Sequence, residues 1–142
     1  MGDGVEKFIP RGIRNNNPGN IKKNDVEWEG LSEFQTDNTF FQFKDAIYGI
    51  RALTKILITY RNKYDLKNIW SIINRYAPPS ENDTEAYKNF VQKKTGLNML
   101  EEIEFTIKDY LPVVKAIILM ENGEQPYDDE IVLLGMQLAW PK

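Results

Sequence analysis

The chain contains no histidine and no cysteine. Their absence excludes Ser-His-Asp and Cys-His nucleophile machinery, zinc sites of the usual nitrogen and sulfur kind, redox thiols and disulfides. Any catalysis must therefore run on carboxylates, phenols, amides and backbone dipoles, and no metal or other cofactor is expected. A strong charge of one sign is also missing: 18 Lys and Arg stand against 21 Asp and Glu, a net charge of −3. Such a chain has no global field with which to hold a polyanion, so nucleic acid is not an expected partner. No stretch approaches the roughly 18 uninterrupted apolar residues of a membrane span. Met1 to Arg14 has no apolar run of signal-peptide length either. The expectation is a protein made in the cytoplasm without an export signal. If its substrate lies beyond the membrane, a phage particle, a holin pore or a secretion machine must carry it there.

What the sequence does contain is an ordinary globular composition: 142 residues, 42% apolar, 27% charged and 12% aromatic. That suits one domain with a single helical core, expected to be monomeric, with no internal repeat or linker. The run Arg14-Asn15-Asn16-Asn17-Pro18-Gly19-Asn20-Ile21 favours bends and reads as an ordered loop. Val26 to Trp28 and Phe40 to Phe43 are short β-prone pieces separated by Gly30 and Asp37-Asn38, which predicts a small hairpin or three-stranded patch. From Asp45 the period changes to about 3.6 residues. Ala46, Ile50, Leu53, Leu57 and Tyr60 form one stripe of a long helix, and Ile69, Ile72, Ile73 and Tyr76 form a second, stopped by Ala77-Pro78-Pro79. A third starts at an Asn82 cap with Glu85 three residues on, buries Tyr87, Phe90 and Val91, and ends at Gly96. Tyr110 to Met120 is apolar nearly all round and predicts a central buried helix. A last helix from about Asp128 to Ala139 would bury Ile131, Leu134 and Leu138. The predicted class is α+β, mostly α, with a small sheet near the N-terminus.

Glu121 stands where the central apolar helix gives out onto Asn122-Gly123. An apolar wall and the negative end of a helix dipole both disfavour its charged form, so its pKa should be raised. A carboxyl that keeps its proton near neutrality is what a general acid for glycosidic cleavage requires. The plainer reading is a helix-terminal glutamate turned into solvent.

Met120-Glu121-Asn122-Gly123, Pro126 and the run Gly135-Met136-Gln137-Leu138-Ala139-Trp140-Pro141 resemble the signature of the lysozyme-like lytic transglycosylases. In that family the catalytic Glu ends a buried helix, a Pro follows at the fifth position, and a Gly-Leu-Met-Gln-Leu-Met-Pro run comes later. The family's Ser after the Glu is Asn122 here. Gly49-Ile50-Arg51-Ala52-Leu53 with Leu57 and Tyr60, then Tyr76-Ala77-Pro78-Pro79, then Thr84, Tyr87 and Val91, are similar to further family segments, with Ala77 where an Asn is usual. Arg11 to Ile21 resembles the start of small phage virion and lysis proteins, among them the lytic enzyme of enveloped double-stranded RNA phages. The same stretch is loosely similar to a bacterial glucosaminidase loop, with Trp28 and Gly30 matching its Trp-x-Gly. The order is rearranged, since the Glu helix comes first in ordinary members. The resemblance thus implies a circularly permuted, lysozyme-like domain over residues 1–142, with bacterial peptidoglycan as partner and Glu121 as the acid. It further implies that the Arg14–Asn20 loop, Glu121 and Tyr76 line one cleft, and that the last helix ends on the side of that loop.

Other candidates carry two readings each. Asn17 and Asn20 can bind N-acetyl groups or hydroxyls, or close their own turn. Trp28 can stack on a pyranose ring or serve the core. Tyr76 and Gln137 match cleft residues of the family, but also read as core and as solvated helix surface. A hydrolase needs a second carboxylate, and Glu27, Glu29, Glu81 and Asp83 are equal candidates, whereas a transglycosylase needs none because the substrate's own C6 hydroxyl attacks. Asp128-Asp129-Glu130 reads more simply as a helix start than as a metal site. Two rival functions remain: a peptide-cleaving lysin on the same fold, and a catalytically dead virion or wall-binding protein.

Overall fold

Four of the helix starts are fixed by the side chain just before them. Asp45, Asn68, Asp83 and Thr106 accept hydrogen bonds from the backbone N–H groups of Ile47, Ser71, Ala86 and Asp109, satisfying donors that a first turn leaves unpaired. The computed structural model describes residues 8–142; half of the Met1–Arg14 segment read for an export signal lies outside them. The elements are α1 (Arg11–Arg14), α2 (Ala46–Tyr64), α3 (Ile69–Tyr76), α4 (Thr84–Thr95), α5 (Ile107–Asn122) and α6 (Asp129–Ala139). The cap of α4 is Asp83 rather than Asn82, whose amide instead donates to Pro78 O.

Helix α5 is the axis of the larger core. Tyr110, Val113, Val114, Ile117 and Ile118 are fully buried on it and pack with Ile50, Leu53 and Leu57 of α2, the Ile69–Ile73 face of α3, and Tyr87 and Val91 of α4. Each such aliphatic side chain stabilises the fold by about 1.5–3 kcal/mol. Helix α6 crosses α2 at Gly135, where a Cβ would stand 2.7 Å from Ile50 Cγ2 and 2.8 Å from the Ile47 carbonyl. The predicted face of α6 is overturned: Leu134 and Leu138 are exposed, and Val132, Gly135, Met136 and Ala139 are buried. The backbone-close crossing selects the small residue, and its neighbours follow it inward.

The opposite flank of α2 carries a second cluster, in which Ala52 packs with Ile21, Phe41 and Phe43, supported by Trp28, Leu31, Tyr48 and Ile56. Here the α+β expectation fails. Among the described residues there are six helices and no named strand, only two isolated antiparallel bridges, Lys22 with Phe40 and Leu31 with Phe43. Side-chain amides stand where a ladder would continue. Asn17 Nδ2 donates to both Ile21 O and Phe41 O while its Oδ1 accepts from Ile21 N, and Gln35 accepts from Gln42 N and donates to Gln42 O. With those backbone groups satisfied sideways, the β-prone stretch Phe40–Phe43 pairs for one residue at a time.

Candidate functional site

The last turn of α5 is tied to the Arg14–Asn20 loop. Asn122 Nδ2 donates to Pro18 O at 2.8 Å as well as to Ile118 O, and Gly123 closes the helix at φ 74°, a conformation that suits glycine. Glu121, one residue earlier, is half-buried and both its oxygens accept hydrogen bonds: Oε1 from Asn20 Nδ2 at 3.0 Å and Oε2 from the Tyr87 hydroxyl at 2.8 Å. Burial raises the Glu121 pKa, and the donors Asn20 and Tyr87 pull it only partly back. The Tyr76 hydroxyl donates to Gly19 O. Burial first, and the Glu121 charge second, push the Tyr76 and Tyr87 phenols far up, so both keep their protons.

Asn20, Tyr76 and Glu121 face a cleft of about 520 Å³ between the loop and the helices, walled also by Gly19 and Tyr60. At its edge the Lys22 ammonium pairs with Glu81 from the α3–α4 connection. The loop reaches this position by left-handed turns at Asn16 and Asn20, both at φ 52°, a region that asparagine tolerates better than most residues. It also docks against Gly12, where a Cβ would stand 2.5 Å from Asn122 Oδ1 and 2.6 Å from Asn20 Oδ1. The site thus combines a carboxyl whose pKa burial raises, fixed on both oxygens, with a groove in which a substrate can lie.

Of the Arg14–Asn20 loop, Gly19 and Asn20 line one cleft with Glu121 and Tyr76, and Asn20 holds Glu121 directly. Asn17 does not reach the cleft; it is fully buried and all three of its side-chain hydrogen bonds go to the backbone of Ile21 and Phe41. Trp28 packs on the second cluster, and Gln137 is exposed on α6; neither lines the cleft. Of the four possible second carboxylates, only Glu81 lines it, while Asp83 caps α4 and Glu29 pairs with Arg51 at 3.4 Å. Asp129 is taken by Lys115 at 2.6 Å.

Tyr87 as a partner of Glu121, Gly12 as the seat of the loop and Arg75 on the cleft wall were not singled out as site residues. For Tyr87 the signal was its match to the family pattern. The last helix also departs from expectation. Trp140, just after it, stacks on Phe105 with centroids 4.6 Å apart and meets Tyr110 edge-on. Tyr110 lies eleven residues before Glu121 on α5, about 16 Å along the axis. Helix α6 therefore ends at the far end of α5 from the Arg14–Asn20 loop, contrary to what the permutation implies.

No helix among the described residues is long and apolar enough to cross a membrane. No protein-family model matches the chain. The chain is similar to protein P5 of Pseudoalteromonas phage PM2, at 49% identity over 130 residues, covering 89% of this chain and 80% of that protein. At that identity and coverage, the chain belongs to the family of this phage protein.

Proposed function

We propose that the protein cuts the glycan strand of bacterial peptidoglycan, with Glu121 as general acid and then general base. The observation that carries this reading is a carboxyl whose pKa is raised by burial, on the wall of a cleft and held on both oxygens by Asn20 and Tyr87. The Glu121 proton passes to the glycosidic oxygen as the C1–O bond breaks. The same carboxylate then takes the proton of the substrate's C6 hydroxyl as that oxygen bonds to C1, giving an anhydro sugar. This route needs no second carboxylate. Glu81, which shares the cleft, is engaged by Lys22, which favours the transglycosylase route over a two-carboxylate hydrolysis. The phage relative supports delivery to the wall by a virion or at lysis.

One observation favours a wall-binding role without catalysis: both Glu121 oxygens already have protein partners. Mass spectrometry of the soluble products from purified sacculi decides. Anhydro-ended glycan fragments are expected, and reducing ends would change the route to hydrolysis. Cleaved peptides with intact glycan would overturn the reading, and binding without release would establish the non-enzymatic role.

A further inference from the structure

The cleft wall carries two basic side chains, Lys22 and Arg75. Lys22 is neutralised by Glu81, whereas Arg75 makes no ion pair among the described residues. Its guanidinium is nonetheless held in place, with Cζ 3.8 Å from the Tyr64 ring centroid and 5.5 Å from that of Tyr60. Stacking immobilises the face of the guanidinium, and although part of its N–H edge approaches the Tyr60 hydroxyl, no carboxylate occupies that edge, which can meet one with charge-assisted hydrogen bonds. Beyond Arg75 opens a second hollow of about 490 Å³, lined by Tyr64, Leu66, Trp70, Ser71 and Asn74, with Arg75 as the wall it shares with the Glu121 cleft. Trp70 stays 45% exposed there, with Lys88 Nζ over its ring at 4.2 Å. The surface that starts at Glu121 thus runs over a positioned, uncompensated cation into a branch with both apolar and amide lining.

We propose that Arg75 docks a carboxylate of the peptide stem that branches from the glycan strand, with the stem lying in the hollow toward Trp70. This rests on the peptidoglycan reading and adds to it that the protein distinguishes stem-bearing glycan from bare sugar. Arg75 lies on the exposed side of α3, so its replacement leaves the core intact.

NMR titration of wild type, Arg75→Gln and Arg75→Lys with three probes tests this: a disaccharide tetrapeptide from peptidoglycan, the same disaccharide without peptide, and chitobiose. Wild type is expected to prefer the stem-bearing disaccharide over chitobiose by about tenfold. Arg75→Gln should erase that preference and Arg75→Lys should keep part of it, each measured relative to the same protein's affinity for chitobiose. A preference retained in Arg75→Gln overturns the subsite, and if the same protein releases glycan fragments from sacculi, the cleavage reading survives it. A full preference for the peptide-free disaccharide moves the carboxylate to the lactyl ether and overturns the stem assignment. Wild type that prefers none of the probes and releases nothing from sacculi removes the subsite and the cleavage reading together.

Discussion

The two sides of the cleft are built from different materials. The helical side is a conventional apolar core around α5, with Val113, Val114, Ile117 and Ile118 fully buried. The loop side, residues 9–45, holds a small apolar cluster in place with polar side chains. Asn17 bridges two backbone segments, and Asp37 receives Arg11 Nε and Nη2, Asn15 Nδ2 and the N–H groups of Thr39 and Phe40. The difference shows that an asparagine or aspartate in a bend-rich segment can be scaffold, and only its bonding partners tell scaffold from site. Asn17 and Asn20 are three residues apart and of one type, yet the first serves the backbone and the second serves Glu121.

The comparison can be broken at four points, in decreasing order of effect. Ile117→Ala in the helical core should cost about 4 kcal/mol through a cavity that closely packed neighbours cannot close. Urea denaturation measures it, and the loss should appear in amide exchange throughout α2, α4 and α5. Asn17→Ala should cost about 3 kcal/mol, because it strands the Phe41 carbonyl and the Ile21 N–H away from water and leaves the Ile21 carbonyl with Phe41 N alone. Its exchange signature should be confined first to residues 15–43, and a cost under about 1 kcal/mol would show that apolar packing alone holds the loop side. Gly12→Ala should cost about 2 kcal/mol by overpacking against Asn20 and Asn122. It should also lower activity more than stability, since Asn20 is displaced from Glu121; equal losses in the two would remove Gly12 as the coupling point.

The fourth and smallest effect separates the sides by pH. Arg11 above all, then the amides of Phe40 and Thr39 and the Asn15 side chain, hold the Asp37 carboxyl far below the usual range. Its stabilising contribution is therefore complete above the unfolded value of about 4 and is lost as the pH falls toward the lower folded value. Glu121 has the opposite sign. Its folded pKa is raised, so stability declines as the pH rises from about 4 through that higher value. Melting temperature against pH should lose part of its acid limb in Asp37→Asn and part of its decline within that window in Glu121→Gln. Parallel curves for the two variants would contradict this assignment.

The same contrast explains what the sequence disclosed. Helices α2 to α5 were legible because apolar side chains recur along them with the helical period, and Glu121 because it interrupts the most apolar of them. The sheet was misread because Phe40, Phe41 and Phe43 have strand propensity, while Asn17 and Gln35, which bond the backbone groups of Phe41 and Gln42, are distant or inconspicuous in sequence. The face of α6 was misread because Leu134 and Leu138 outweigh Gly135 in hydrophobicity, although close contact with α2 selects the glycine. Tyr87 lies 34 residues from Glu121 and Asn20 101 residues from it, so no local pattern announces that the three meet.

The central claim is that the proton on Glu121 does the chemistry, and it is tested most directly by Glu121→Gln. The amide Oε1 still accepts from Asn20, and the Tyr87 hydroxyl can turn to accept from Nε2, so shape and hydrogen bonding are kept while the transferable proton is lost. Release of soluble glycan from purified sacculi should fall by at least about 100-fold, with the melting temperature at neutral pH no lower than that of wild type. Release within a few fold of wild type by a folded Glu121→Gln protein would contradict the account.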